Sequence, residues 1–190
     1  MTLKARIGNE ELTIDLDQEP ESPREWDNIG TMLCYHSRYE LGDKKGDFED
    51  PEDLMAYLRK TKAVVLNLRL LDHSGLSMST SNTWPYDDKW DAMNIGLIFV
   101  TYDKIKKEYG KKILSGRTLA LARAQLEQEV KTYDHWLRGD ILYYSIAKLT
   151  ICNLGEEHRE VIDSVCGFYS VQDILNNIDQ KWKTVALKEA

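Results

Sequence analysis

The stretch SGRTLALARAQLEQEVKTYDHWLR, residues 115–138, followed by GDILYYSIAKLTI, residues 139–151, decides the fold class. In the first part Leu119, Ala122, Leu126, Val130, Tyr133 and Leu137 recur at three- and four-residue steps, with Arg, Gln and Glu on the other faces. That is the pattern of an amphipathic helix with one apolar stripe. Ser115 suits its N-cap and Gly139 its stop. The period then changes. Ile141 to Ile151 reads as a strand, Asn153-Leu154-Gly155-Glu156 as a turn, and Arg159 to Val165 as the returning strand. A long helix that hands over to a hairpin points to an α+β architecture with a mainly antiparallel sheet.

Working outward, residues 2–7 and 11–16 alternate apolar and polar around Gly8-Asn9-Glu10, a hairpin signal, and Gln18 to Pro23 breaks the pattern. Within Trp26–Arg38 the apolar centre Met32, Leu33, Cys34 and Tyr35 suits a short buried strand. Glu40 to Asp50 is rich in glycine and charge and reads as a loop. Asp50-Pro51-Glu52-Asp53 opens a helix, with a cap, a proline at the first helical position and two acids at the positive end of the dipole. Leu54, Tyr57 and Leu58 are its expected inward face. Ala63 to Leu71 reads as a strand continued as a hairpin by Gly75 to Ser81. Thr83 to Met93 reads as irregular, Ile95 to Val100 as a buried strand, and Tyr102 to Tyr109 as a short helix ended by Gly110. Val171 to Val185 reads as one closing helix built on Ile174, Leu175, Ile178 and Trp182. Together these predict a single α+β domain over 1–190 with three to four helices.

The chain has 190 residues and a net charge of −7. Residues 1–53 carry fifteen acidic and six basic side chains, and the remainder is close to neutral at +2. Such an acidic segment disfavours direct binding to nucleic-acid phosphates, which needs a positive patch, and suits a basic partner surface. The opening Met1-Thr2-Leu3-Lys4-Ala5-Arg6 lacks the apolar core of a signal peptide, and the longest apolar run, Ile95 to Val100, is strand-sized. Three cysteines, Cys34, Cys152 and Cys166, fit no disulfide framework. A bacterial cytoplasm is the expected compartment, with no membrane partner.

No glycine-rich phosphate loop and no C-x-x-C or H-E-x-x-H zinc spacing occurs, so no cofactor and no metal are expected. Cys34 and His36, two apart on a strand, share a face, and with Asp72 and His73 they supply the pieces of a small hydrolase or nucleotide-modifying enzyme. Asp72, His73 and Ser74 are not a triad by adjacency, because neighbours on a strand point to opposite faces. The acidic runs Asp43, Asp47, Glu49, Asp50 and Asp87, Asp88, Asp91 read as solvated loops, since Lys44 and Lys45 intrude in the first, and in the second Lys89 intrudes and the glycine of a calcium loop is missing. Trp26, Trp84, Tyr86 and Trp90 lie in irregular segments beside acids. Aromatic residues on loops give large contact area at low entropy cost, as protein-binding surfaces do.

Pro23-Arg24-Glu25-Trp26-Asp27-Asn28-Ile29-Gly30-Thr31-Met32, then Tyr39 through Leu41-Gly42-Asp43-Lys44, resembles the opening of an uncharacterised family of small accessory proteins from tailed bacteriophages and mobile elements. Asp72-His73-Ser74-Gly75, Trp90-Asp91, Gly96-Leu97-Ile98-Phe99-Val100, Tyr133-Asp134, Leu137-Arg138-Gly139 and Cys166-Gly167-Phe168-Tyr169 resemble its later blocks in the same order. Around Trp84–Asp91 the chain departs from the family, which is shorter there and carries Cys-Pro-Trp-Asp-Ser-Gly. The resemblance implies a phage accessory protein and supplies no activity. The expected function is non-enzymatic binding to a host or defence protein complex, of anti-CRISPR or anti-restriction type. Its expected surface comprises Trp26, Asp47, Glu49, Asp50, Glu52, Trp84, Tyr86, Asp87, Asp88 and Trp90. Self-assembly into a homo-oligomer is the blander alternative.

Overall fold

Alternation and capping place the elements where local chemistry favours them. The computed structural model describes residues 2–73, 75–80, 92–152 and 155–186. In chain order the elements are β1 (Leu3–Ile7), β2 (Glu10–Leu16), β3 (Thr31–Cys34), α1 (Pro51–Lys60), β4 (Ala63–Asp72), β5 (Leu76–Thr80), β6 (Ala92–Thr101), α2 (Tyr102–Glu108), α3 (Gly116–Leu137), β7 (Leu142–Ile151), β8 (Glu157–Phe168), α4 (Val171–Asn177) and α5 (Gln180–Ala186), with a 3-10 turn at Pro23–Glu25. The α+β class holds. The strands form two antiparallel sheets of four, ordered β1-β2-β7-β8 and β3-β6-β4-β5, in place of one. The chain gathers into two compact units: Ser22–Arg138, and the two chain ends Met1–Glu21 with Gly139–Ala190.

In the unit Ser22–Arg138, strand alternation sorts side chains to two buried faces. Met32, Leu66, Leu68, Ile98 and Val100 join Ala122, Leu126 and Val130 of α3 in one core. Leu33 and Phe99 face the other way and join Leu54 of α1, with Tyr35, Phe48, Leu58, Val65 and Leu97 packed against them. The α3 stripe read from the sequence is thus the stripe that is buried. Gly96 allows β3 to lie close to β6, because a Cβ there would stand 1.9 Å from the Leu33 carbonyl oxygen.

In the other unit, Leu3, Ala5, Leu12, Ile14, Tyr144 and Ile146 share one sheet face with Ile174, Leu175, Ile178 and Trp182. The single closing helix expected over Val171–Val185 is broken in two. Ile178 is extended (φ −86°, ψ 159°), and the Asp179 carboxylate accepts from the Lys181 N–H at 3.0 Å, capping a new helix. The edge strand β8 runs longer than expected and is exposed from Glu157 to Cys166. Its ladder skips at Ile162, since Ile146 pairs with Asp163 and Ala147 with Val161. Such a bulge twists an edge away from pairing with another strand.

Candidate partner-binding surface

The segment 43–58 is pinned by side chains on both of its flanks. At its start, Arg24 donates to both Asp43 carboxylate oxygens (Nε to Oδ1 2.7 Å, Nη2 to Oδ2 2.8 Å), to Glu129 Oε2 (3.1 Å) and to the Gly30 carbonyl (2.9 Å). Asp43 Oδ2 also accepts from the Met32 N–H at 2.8 Å, and the Asp43 N–H donates to the Met32 carbonyl at 2.7 Å. Glu129 on α3 accepts from the N–H groups of Ile29 (2.9 Å) and Gly30 (3.2 Å). A Cβ at Gly30 would stand 2.6 Å from Leu126 Cδ2 and 2.8 Å from Glu129 Oε2, so only glycine lets the backbone reach the carboxylate. Burial opposes the Arg24 charge, and Asp43 and Glu129 outweigh it, raising the guanidinium above its usual range.

Further along, the Tyr35 hydroxyl donates to the Phe48 carbonyl at 2.8 Å, and the Phe48 ring packs on Tyr57 at 5.1 Å. Asp50 caps α1 by accepting from the Glu52 N–H at 2.8 Å. Leu54 is buried as expected, whereas Tyr57 stays partly exposed and spreads its ring toward Phe48 and Phe99. Asp47, Glu49, Asp50, Glu52 and Asp53 all stand in solvent around this scaffold. Beside them lies a groove of about 420 Å³ lined by Leu54, Met55, Ile95 and Leu97, with Asn67 and Asn94 at its polar edge. Met55 is 44% exposed there. Burial, and next the charges of Asp50 and Asp53, raise the Tyr35 phenol that also lines the groove.

The structure therefore brings Asp47, Glu49, Asp50 and Glu52 onto one continuous segment. Trp26, 46% exposed, does not join them: it follows the 3-10 turn, which packs on α3 at the other sheet face. Trp84, Tyr86, Asp87, Asp88 and Trp90 lie outside the described residues. The acidic first third is not all free surface charge. Of its acids, Glu11 and Asp43 are consumed by ion pairs, and the segment is shared between both units. The unit of the chain ends holds fourteen acidic and seven basic residues, the whole net charge of −7, while the central unit balances at eighteen of each. The acids of 47–53 are thus a local negative patch on a neutral unit. Arg24 and Glu129 escaped the sequence reading. A lone arginine between Pro23 and Glu25 and a lone glutamate on a helix carry no local signal.

The enzymatic candidates are placed differently. Cys34 and His36 line a second, polar concavity of about 770 Å³ with Arg38, Glu40 and Lys44, and Asp72 and His73 are not among its lining residues. Cys34 is buried, and burial pushes its thiol up to about 12, so it stays protonated. His36 Nδ1 accepts from the Arg38 and Tyr39 N–H groups (3.1 and 3.3 Å), and its ring stacks on Tyr39. Asp72 is paired with Arg38. His73 sits at the β4–β5 turn, its N–H donating to the Gly75 carbonyl at 3.1 Å, and Ser74 lies outside the described residues. Among Cys34, His36, Asp72 and His73, the one thiol is buried and raised, and Asp72 and His73 do not line its concavity. No helix among the described residues is long and apolar enough to cross a membrane. No family model, curated protein or solved structure matches this chain.

Proposed function

We propose that this chain works by binding and not by catalysis. It docks onto a basic protein surface through the acidic first turn of α1, the loop before it and the apolar groove alongside. The observation that supports this reading is the pairing of five exposed acids, Asp47, Glu49, Asp50, Glu52 and Asp53, with an open apolar groove on a segment pinned at Asp43, Phe48 and the buried Leu54. A rigid patch that offers both charge and apolar area suits specific recognition, with charge steering the encounter and apolar contact holding it. In keeping with the phage accessory class suggested by the sequence, the partner is a host or defence complex, of CRISPR or restriction type, whose basic surface otherwise holds nucleic acid.

The test is a pull-down of the tagged full chain from bacterial lysate, with and without nuclease, beside a D47K/E49K/E52K variant. Asp50 is left intact because it caps α1, and its loss alone costs about 0.5–2 kcal/mol. A stoichiometric, nuclease-resistant partner that falls away at least tenfold with the variant is the expected result, the unfolding midpoint dropping only by the small cost of a positive charge in the first turn of α1. Equal capture by both proteins removes the acidic segment from the interface.

A further inference from the structure

The β7–β8 hairpin carries side chains that neither the acidic patch nor the ion networks use. Its turn is closed by the Cys152 N–H donating to the Glu156 carbonyl and the Gly155 N–H donating to the Cys152 carbonyl, each at 2.9 Å. The ladder continues with Ile151 opposite Glu157 and Thr150 opposite His158. Because side chains alternate along a strand, Cys152 and Thr150 share a face, and Glu156 and His158 share that same face. Cys152 thus has Glu156 across from it and His158 on the diagonal. The ligand atoms of these three residues lie within 4.8 Å of one another. Cys152 is half-buried and the other two are exposed.

A thiolate, an imidazole and a carboxylate together suit a borderline-soft cation, whereas Mg²⁺ and Ca²⁺ select all-oxygen sites. Donors bonded to tetrahedral Zn²⁺ at about 2.0–2.3 Å stand roughly 3.3–3.6 Å apart. Closing the observed spacing to that value takes rotation of accessible side chains, with the backbone already held by the hairpin. We infer that Cys152, Glu156 and His158 form a three-ligand site for Zn²⁺, with the fourth position open to solvent. Cys152 directly follows β7, Glu156 directly precedes β8 and His158 lies on β8, so the ion ties the two strands together at the end of the hairpin. Its sequence signature, Cys-x₃-Glu-x-His, matches no common zinc spacing because the pairing is made across a turn.

The test uses the reduced, chelator-treated full chain titrated with Zn²⁺ alone in competition with a chromophoric chelator, and with Co²⁺ to read thiolate-to-metal absorption. One equivalent per chain, a thiolate band and a Zn²⁺-dependent rise in unfolding midpoint are expected. Each should be lost in Cys152→Ser. Affinity should fall more than about 100-fold in Cys152→Ser and His158→Ala, beyond the 10–100-fold that supporting groups carry. Cys166→Ser, on exposed β8, should bind as the parent does. Binding that survives Cys152→Ser, a thiolate band that depends on Cys166, or a midpoint that Zn²⁺ leaves unmoved overturns the site. Both ligand variants should match the parent's midpoint without metal, and His158, being exposed, supplies the second variant if Cys152→Ser shifts it.

Discussion

Each unit builds an ion cluster, and the two clusters have opposite polarity. In the central unit one cation, Arg24, lies between two carboxylates, Asp43 and Glu129, and its side chain is only 5% exposed. In the unit of the chain ends one carboxylate, Glu11, lies between two cations, Arg6 at 2.9 Å and Arg159 at 3.0 Å, which reach in from solvent with side chains 55% and 36% exposed. Arg159 also donates to the Thr13 and Ser145 hydroxyls. The first cluster is largely shielded from water, with Asp43 alone partly exposed, so its members depend on one another. The second loses little when a partner leaves, because water replaces a half-exposed guanidinium.

The sharpest way to break this contrast is Arg24→Met. It strips the cation from Asp43 and Glu129, one carboxylate part-buried and the other buried, and should cost about 3–5 kcal/mol in denaturant unfolding. A loss below about 1 kcal/mol would show that the network is wetter than drawn. The next effect is alkaline and also belongs to the central unit. Cys34 has its thiol raised to about 12 from an ordinary 9.0 by burial. Above about pH 9 the unfolded chain releases this proton and the folded one does not. Stability should therefore fall as pH climbs from about 9 toward about 12, by at most about 4 kcal/mol, and Cys34→Ala should flatten that part of the slope. An identical slope in the variant would assign the alkaline loss elsewhere.

The smallest effect is Glu11→Gln, expected at about 1 kcal/mol and weakened by salt, given its exposed partners. Burial works to raise the Glu11 carboxyl, and Arg6, through its hydrogen bond and charge, outweighs it, so the folded value lies below the ordinary 4.5. Its stabilisation is present above that ordinary value and is lost as pH falls through the lower, folded one. An acid-unfolding profile identical in the variant, or a cost rivalling that of Arg24→Met, would collapse the distinction between the two clusters.

Much of the fold was legible. The α3 stripe, the Asp50 cap, the alternation of β1 and β2 and the apolar runs of β4 and β6 are local signals, and each element formed where they placed it, except that β6 starts three residues earlier, at Ala92, in a stretch read as irregular. The misses have physical causes. The break at Ile178 turned on an Asp179 cap hidden inside an unbroken apolar spacing. The division into two sheets followed from which strands pair, which alternation does not encode. At the candidate surface, the exposed acids of 47–53 were readable from charge alone. The groove beside them needs α1 and β6 in one place.

What the sequence by itself determined is therefore the set of elements, their caps and which face of each is apolar, because these depend on neighbours within a few residues. The tertiary structure decided which charges remain at the surface. It drew Glu11, Asp43 and Glu129 into internal ion pairs, whereas Asp47, Glu49 and Glu52 stayed in solvent as their charge alone suggested. It also set Cys152 against Glu156 and His158. The ion-pair outcomes rest on which elements meet, joining residues as far apart as Ile29 and Glu129 or Thr13 and Arg159, and so leave no trace in any local pattern.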